Sequence, residues 1–157
     1  MKKPIVLFVE LKIASKNKYV CDIAEKLFDN NISVSIFTNE LKSANQLNDL
    51  LWTWKQDSFI PHSISTAENG SSDPVSISSS IDLIPQTEAL ILFDPLPLNE
   101  LEKFKLVFDF AEVYHSEKKQ ESRQRFKQMR DSEKFDLHFT QLGAILAKKT
   151  ISLEQVN

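Results

Sequence analysis

Glycine is nearly missing from this chain: there are two in 157 residues, Gly70 and Gly143. Loops that cradle phosphate with backbone N–H groups need several glycines within a few positions. Neither the dinucleotide fingerprint nor the nucleoside-triphosphate loop can therefore be assembled. The first apolar run leads into Glu10-Leu11-Lys12, where a doubly wound nucleotide binder has its glycine turn. Cysteine is scarcer still. Cys21 alone allows no internal disulfide, and a reducing cytoplasm is the simplest compartment. It lies on an amphipathic segment, as a packing residue does rather than a nucleophile. His62, His115 and His138 stand too far apart for the short ligand spacings of a metal site. Charge of one sign is lacking too. A formal net charge of −3 gives no general attraction to nucleic acid or anionic lipid. No apolar window approaches a membrane span. Met1-Lys2-Lys3 followed by PIVLFVELKIA has the outline of a signal peptide, but the run is short and Glu10 and Lys12 interrupt it. The expectation is a soluble, cytoplasmic, non-catalytic domain with no metal and no cofactor, large enough to bury a core without staples.

What is present is a regular alternation of strand and helix signals. Residues 5–9 form a continuous apolar run, as a buried strand does. Val20, Ile23, Ala24, Leu27 and Phe28 then recur at helical spacing, and Asp29-Asn30-Asn31 closes that helix. Ile32, Val34 and Ile36 alternate as a second strand, after which Thr38 or Asn39 can cap another helix. Residues 63–88 are polar and turn-prone. Val75 and Ile77 could supply a short strand there, and the serine run 78–80 reads as solvated loop. Residues 89–93 read as a third strand, Pro95 and Pro97 break the chain, and residues 98–104 suggest a short helix. Leu106, Phe108 and Phe110 alternate with Val107 and Asp109 in a last clear strand. The order predicts an α/β fold: a single three-layer domain with a mostly parallel central sheet flanked by helices.

Two stretches say something more specific. Residues 39–62 carry both tryptophans. At about 100° per residue, Ala44, Leu47, Leu51 and Trp54 share one helix face, and Trp52 lies off it. Phe59, Ile60 and Pro61 follow in irregular chain. Large apolar groups on a helix flank and the adjoining loop mark a partner, unless a second layer folds over them. The other stretch is SEKKQESRQRFKQMRDSEK, residues 116–134, a helix-forming segment with almost no apolar face. Helical projection gathers Lys119, Arg123, Lys127 and Arg130 within roughly a quarter-turn, with Phe126 beside them. Such a strip is either a solvated face anchored by Phe126 and Met129, or an anion-binding groove in which arginine clamps a carboxylate beside an aromatic floor.

Residues 19–62, YVCDIAEKLFDNNISVSIFTNELKSANQLNDLLWTWKQDSFIPH, resemble the chi subunit of bacterial DNA polymerase III. The features carrying the resemblance are a helix with a central cysteine (Cys21), a strand, and a helix with a tryptophan near its end (Trp52). The turn Ser58-Phe59-Ile60-Pro61-His62 follows. Arg123-Gln124-Arg125-Phe126-Lys127 is similar to the family's late basic-aromatic helix. The similarity runs from about residue 4 to about 137. It implies a Rossmann-like topology without a nucleotide site, serving as a non-catalytic adaptor of the replicative holoenzyme. By that resemblance Trp52, Phe59, Ile60 and Pro61 face the psi subunit of the clamp loader, or a helicase at the same surface. Lys119, Arg123, Phe126, Lys127 and Arg130 hold the acidic C-terminal tail of single-stranded-DNA-binding protein, which ends in a phenylalanine with its free carboxylate. DNA would be met only indirectly, through the replisome at the nucleoid. Phe126 departs from the pattern, which has a tyrosine there. The chi-like domain is expected over residues 1–141, with residues 142–157 an extension of unassigned structure. Three other readings remain: direct nucleic-acid binding through residues 116–134, a helicase-associated DNA repair factor, and a small nucleotide-dependent enzyme.

Overall fold

A computed structural model describes residues 3–55, 59–67 and 70–151. The elements run β1 (Ile5–Leu11), α1 (Lys16–Asp29), β2 (Val34–Phe37), α2 (Leu41–Trp52), β3 (His62–Ile64), β4 (Val75–Ser78), a 3₁₀ turn (Ile81–Leu83), β5 (Ala89–Leu92), α3 (Leu98–Leu101), β6 (Leu106–Glu112), α4 (Ser116–Ser132), β7 (Asp136–Gln141) and α5 (Leu142–Ala147). Among the described residues, seven strands form one sheet in the order β3-β4-β2-β5-β6-β1-β7. Every pairing among them is parallel. The fold is thus a three-layer α/β architecture of Rossmann-like type. Its sheet is parallel throughout rather than mostly so.

Continuous apolar strands follow from burial on both faces. One layer is built by Val20, Ile23, Ala24 and Leu27 of α1, Ala44, Leu47 and Leu51 of α2, and Ile145 of α5, packed on Val9, Ile36, Ile77, Ile91 and Phe108. Val6, Phe8, Leu90 and Val107 face the opposite way and meet Leu101, Met129 and Phe135. Each fully buried Leu, Ile or Phe contributes about 1.5–3 kcal/mol. After α1, Asn31 adopts a left-handed φ of 60°, which asparagine tolerates better than a branched residue. Ile32 N–H returns to Leu27 O at 2.9 Å and closes the helix end.

Several expectations need correction. Neither Thr38 nor Asn39 caps α2; Glu40 occupies the cap without a side-chain bond. Thr38 Oγ1 and Asn39 N–H instead donate to Asp94 Oδ2, each at 2.9 Å, because a carboxylate is the stronger acceptor. The serine run is not all loop. Ser78, its first residue, is buried at the end of β4 and donates its Oγ to Leu83 O; Ser76, before the run, is buried in the same strand and donates to Ser71 Oγ. Asn69, from the same polar stretch, lies outside the described residues. The helix expected over 98–104 is confined to α3. β6 is not the last strand, since β7 follows α4. Residues beyond 141 have a defined place as far as Ile151. α5 packs on α1, Ile145 is 3% exposed, and Ile151 N–H donates to Asn30 Oδ1. Among the described residues no helix is long and apolar enough to cross a membrane.

Candidate functional site

The 17-residue helix α4 is polar over most of its surface, so packing alone would hold it loosely. Polar contacts to β6 compensate. Arg125 Nε and Nη2 donate to the two carboxylate oxygens of Asp109 at 3.0 and 3.1 Å, and Nη2 also reaches Phe110 O at 3.2 Å. Asp109 is 3% exposed. Burial works against the Arg125 charge, but the Asp109 carboxylate and its hydrogen bonds outweigh it and push the guanidinium above its ordinary range. Ser122 Oγ accepts from Glu112 N–H and donates toward Lys118 O. Met129 is buried, and the Phe126 ring stands edge-on to Phe8 at 5.1 Å. Glu133 closes the helix in the left-handed region, φ 59°.

With α4 so pinned, its outer face and the sheet enclose a groove of about 470 Å³. Lys119, Arg123, Lys127 and Arg130 form one wall, and Phe8, Ala111, Val113, Phe126 and Phe139 give the floor. All five residues of the expected tail-binding set therefore come together. Arg130 lies 3.3 Å from the exposed Asp131. Among the described residues no carboxylate pairs with Lys119, Arg123 or Lys127. An apolar trough under cations without carboxylate partners is built for an anion attached to an apolar group. Of the floor, sequence reasoning found Phe126 but missed Phe8, Ala111, Val113 and Phe139. Phe8 and Phe139 come from β1 and β7, which are paired in parallel with these two residues in register. An alternation in DLHFTQ was the available signal.

The aromatic surface lies at the other end of the sheet, where α2 packs on β3. Trp52 is 56% and Phe59 65% exposed, with ring centroids 5.8 Å apart. His62 lies beneath Trp52 at 4.8 Å, its Nδ1 2.6 Å from Ile60 O and its Nε2 3.1 Å from Asn48 O. The expected surface set divides here. Trp52 and Phe59 are presented and Pro61 is half-buried, but Ile60 is 2% exposed and packs in the core. Ile60, two residues before edge strand β3, turns inward and joins the buried cluster that also holds Leu47 and Leu51 of α2. Ser58 of the same turn lies outside the described residues. Trp54, two residues beyond the end of α2, packs against the core, and among the described residues its buried indole nitrogen has no hydrogen-bond partner.

At the carboxyl ends of the central strands, Lys16 occupies the crevice. Its Nζ donates to Phe93 O at 2.8 Å and pairs with Glu112 at 2.9 Å. Ser15, the residue before α1, is followed by no acidic residue in the first turn.

The family model for the DNA polymerase III chi subunit, HolC, matches residues 3–134. The chain belongs to the chi family. That makes it a member of a family of accessory subunits of DNA polymerase III, a setting that implies protein partners. No curated protein sequence matches it. Among solved structures, the C-terminal domain of the DEAD-box protein Dbp5 is similar with TM-score 0.52 and 14% identity, over 88% of this chain and 90% of that chain. The S. cerevisiae Dbp5 C-terminal domain bound to Gle1 and IP6 gives TM-score 0.51 and 13% identity, over 94% of this chain and 100% of that one. At such identity the likeness concerns the fold alone. The chi match ends at 134, so β7 and the groove residue Phe139 lie beyond it.

Proposed function

We propose that this chi-family chain is a non-catalytic bridge in the replicative holoenzyme. One surface joins a psi-like clamp-loader subunit, and the other holds the acidic C-terminal tail of single-stranded-DNA-binding protein. The observation that carries this reading is the groove along α4, where four cations stand over an aromatic floor. Arg123 and Lys127 neutralise the tail's carboxylates, and Phe8, Phe126 and Phe139 receive its terminal ring. A linear contact of this kind has a Kd on the order of micromolar, weakens with salt because its charges are exposed, and gains residence from the several tails of one tetramer. With phenylalanine at 126, no hydroxyl is available there to hydrogen-bond the tail.

The test is fluorescence anisotropy with a labelled acidic peptide ending Asp-Ile-Pro-Phe, carried out with free and amidated C-termini. Saturable, salt-sensitive binding that needs the free carboxylate is expected. Arg123→Ala should weaken it about tenfold, the cost of one charge-assisted contact. Tight binding of naked single-stranded DNA at moderate salt, with indifference to the peptide, would overturn the proposal in favour of direct nucleic-acid binding. The mild net charge of −3 already argues against that outcome.

A further inference from the structure

β7 is the last strand of the sheet, and among the described residues it pairs with β1 alone. It is six residues long, against three for β3 at the opposite edge. In a parallel ladder, alternate residues direct both N–H and C=O to the same neighbour. Asp136 N–H donates to Pro4 O at 2.9 Å, so Asp136, His138 and Thr140 face β1. Leu137 and Phe139 then turn their N–H and C=O groups outward. The strand is covered unevenly as well. α5 packs against it, whereas Phe139, in register with Phe8 on the α4 face, is 55% exposed. Neither a proline nor a lysine, the usual blunting residues, occurs within DLHFTQ.

From this we infer that the edge of β7 takes an extended acidic peptide as an eighth strand, continuous with the α4 groove. Phe139 joins the two halves of the site, since its ring lines the groove while its backbone closes the ladder. A strand added about 4.8 Å outside β7 places every second side chain on the α4 face. There those side chains flank Phe139 and come within reach of Lys127 and Arg130, which favours carboxylates at alternate positions. Main-chain bonds supply affinity without demanding one sequence, and the cations select charge. The inference rests on the tail-binding reading and extends it to the residues preceding the peptide's terminal aromatic.

The test uses the full chain, nitrogen-labelled, with an acidic peptide of about nine residues, long enough to cover the edge at about 3.3 Å per residue. Amide exchange at Leu137 and Phe139 should slow at least tenfold on saturation. Methylating the peptide's backbone nitrogens one at a time should weaken binding about tenfold at every second position. Binding with unchanged exchange and no alternation would overturn the inference while leaving the tail-binding reading standing. No binding of any peptide would remove both. Protection of the same amides by concentration alone, with dimers in light scattering, would show that a second copy takes the edge and would also overturn it.

Discussion

Cys21 shows how far one buried residue can be understood from its surroundings. It sits fully buried in α1, and burial, reinforced by the negative charges of Asp22 and Glu25, pushes its thiol up to about 12. The native state thus holds the proton more tightly than the unfolded chain, whose thiol titrates near 9.0. Its contribution to stability is complete below about pH 9 and declines as pH rises toward 12. Denaturant midpoints measured across that window should fall more steeply for the wild type than for Cys21→Ala. A thiol reagent at pH 8 should label the native protein far more slowly than the unfolded one, and equal rates would contradict this environment. Cysteine as a packing residue was legible from helical spacing alone. Ile60 was not, because no periodicity operates in the irregular chain before β3 to show which way a side chain turns.

Among the elements, α4 depends most on a pair that the sequence conceals. Asp109 stands in the run LVFDFAE, and Arg125 is one of several cations in its segment. Their pairing, with the Phe110 N–H that also donates to Asp109 Oδ1 at 2.7 Å, explains a carboxylate in a buried strand. Removing one partner of such a pair leaves an uncompensated charge, and Asp109→Ala should cost about 3–5 kcal/mol by equilibrium denaturation. A cost below about 1 kcal/mol would mean that solvent reaches Arg125 and that the pair is a surface one. Because the same pair sets how α4 lies over the sheet, the variant should also lose peptide affinity. Asp109→Asn retains an acceptor and should fall between the two. The cationic strip of α4 was visible from 3.6-residue periodicity. Beyond Phe126 its floor was not, because Phe8 and Phe139 are far apart in the chain and meet only through parallel pairing.

The whole molecule separates its two candidate surfaces. The aromatic pair lies by β3 and the groove by β7, and these strands are the two ends of a seven-stranded sheet. Six inter-strand steps of about 4.8 Å put the edges roughly 29 Å apart. Mutations at that distance with no shared partner act independently. Trp52→Ala should therefore abolish co-purification with a psi-like subunit while leaving peptide anisotropy unchanged. Loss of both activities together would point to a failed fold, which near-UV circular dichroism would reveal.

Local pattern determined much by itself. Apolar runs between polar turns and helical repeats of Val, Ile and Leu are one-dimensional records of burial. From them followed the α/β class, most of the strands, α1, α2 and α4. The cation spacing on α4 and the chi resemblance were equally readable in one dimension. The tertiary structure decided what depends on contacts between distant residues. β7 became a strand because β1 offered it a parallel edge, and α5 formed where Ile145 could reach the core beside α1. Asp94 drew Thr38 and Asn39 away from α2, Arg125 paid for burying Asp109, and Ile60 turned inward beside exposed Phe59. Hydrophobic periodicity reports which face of an element is buried; long-range pairing alone sets what that face meets.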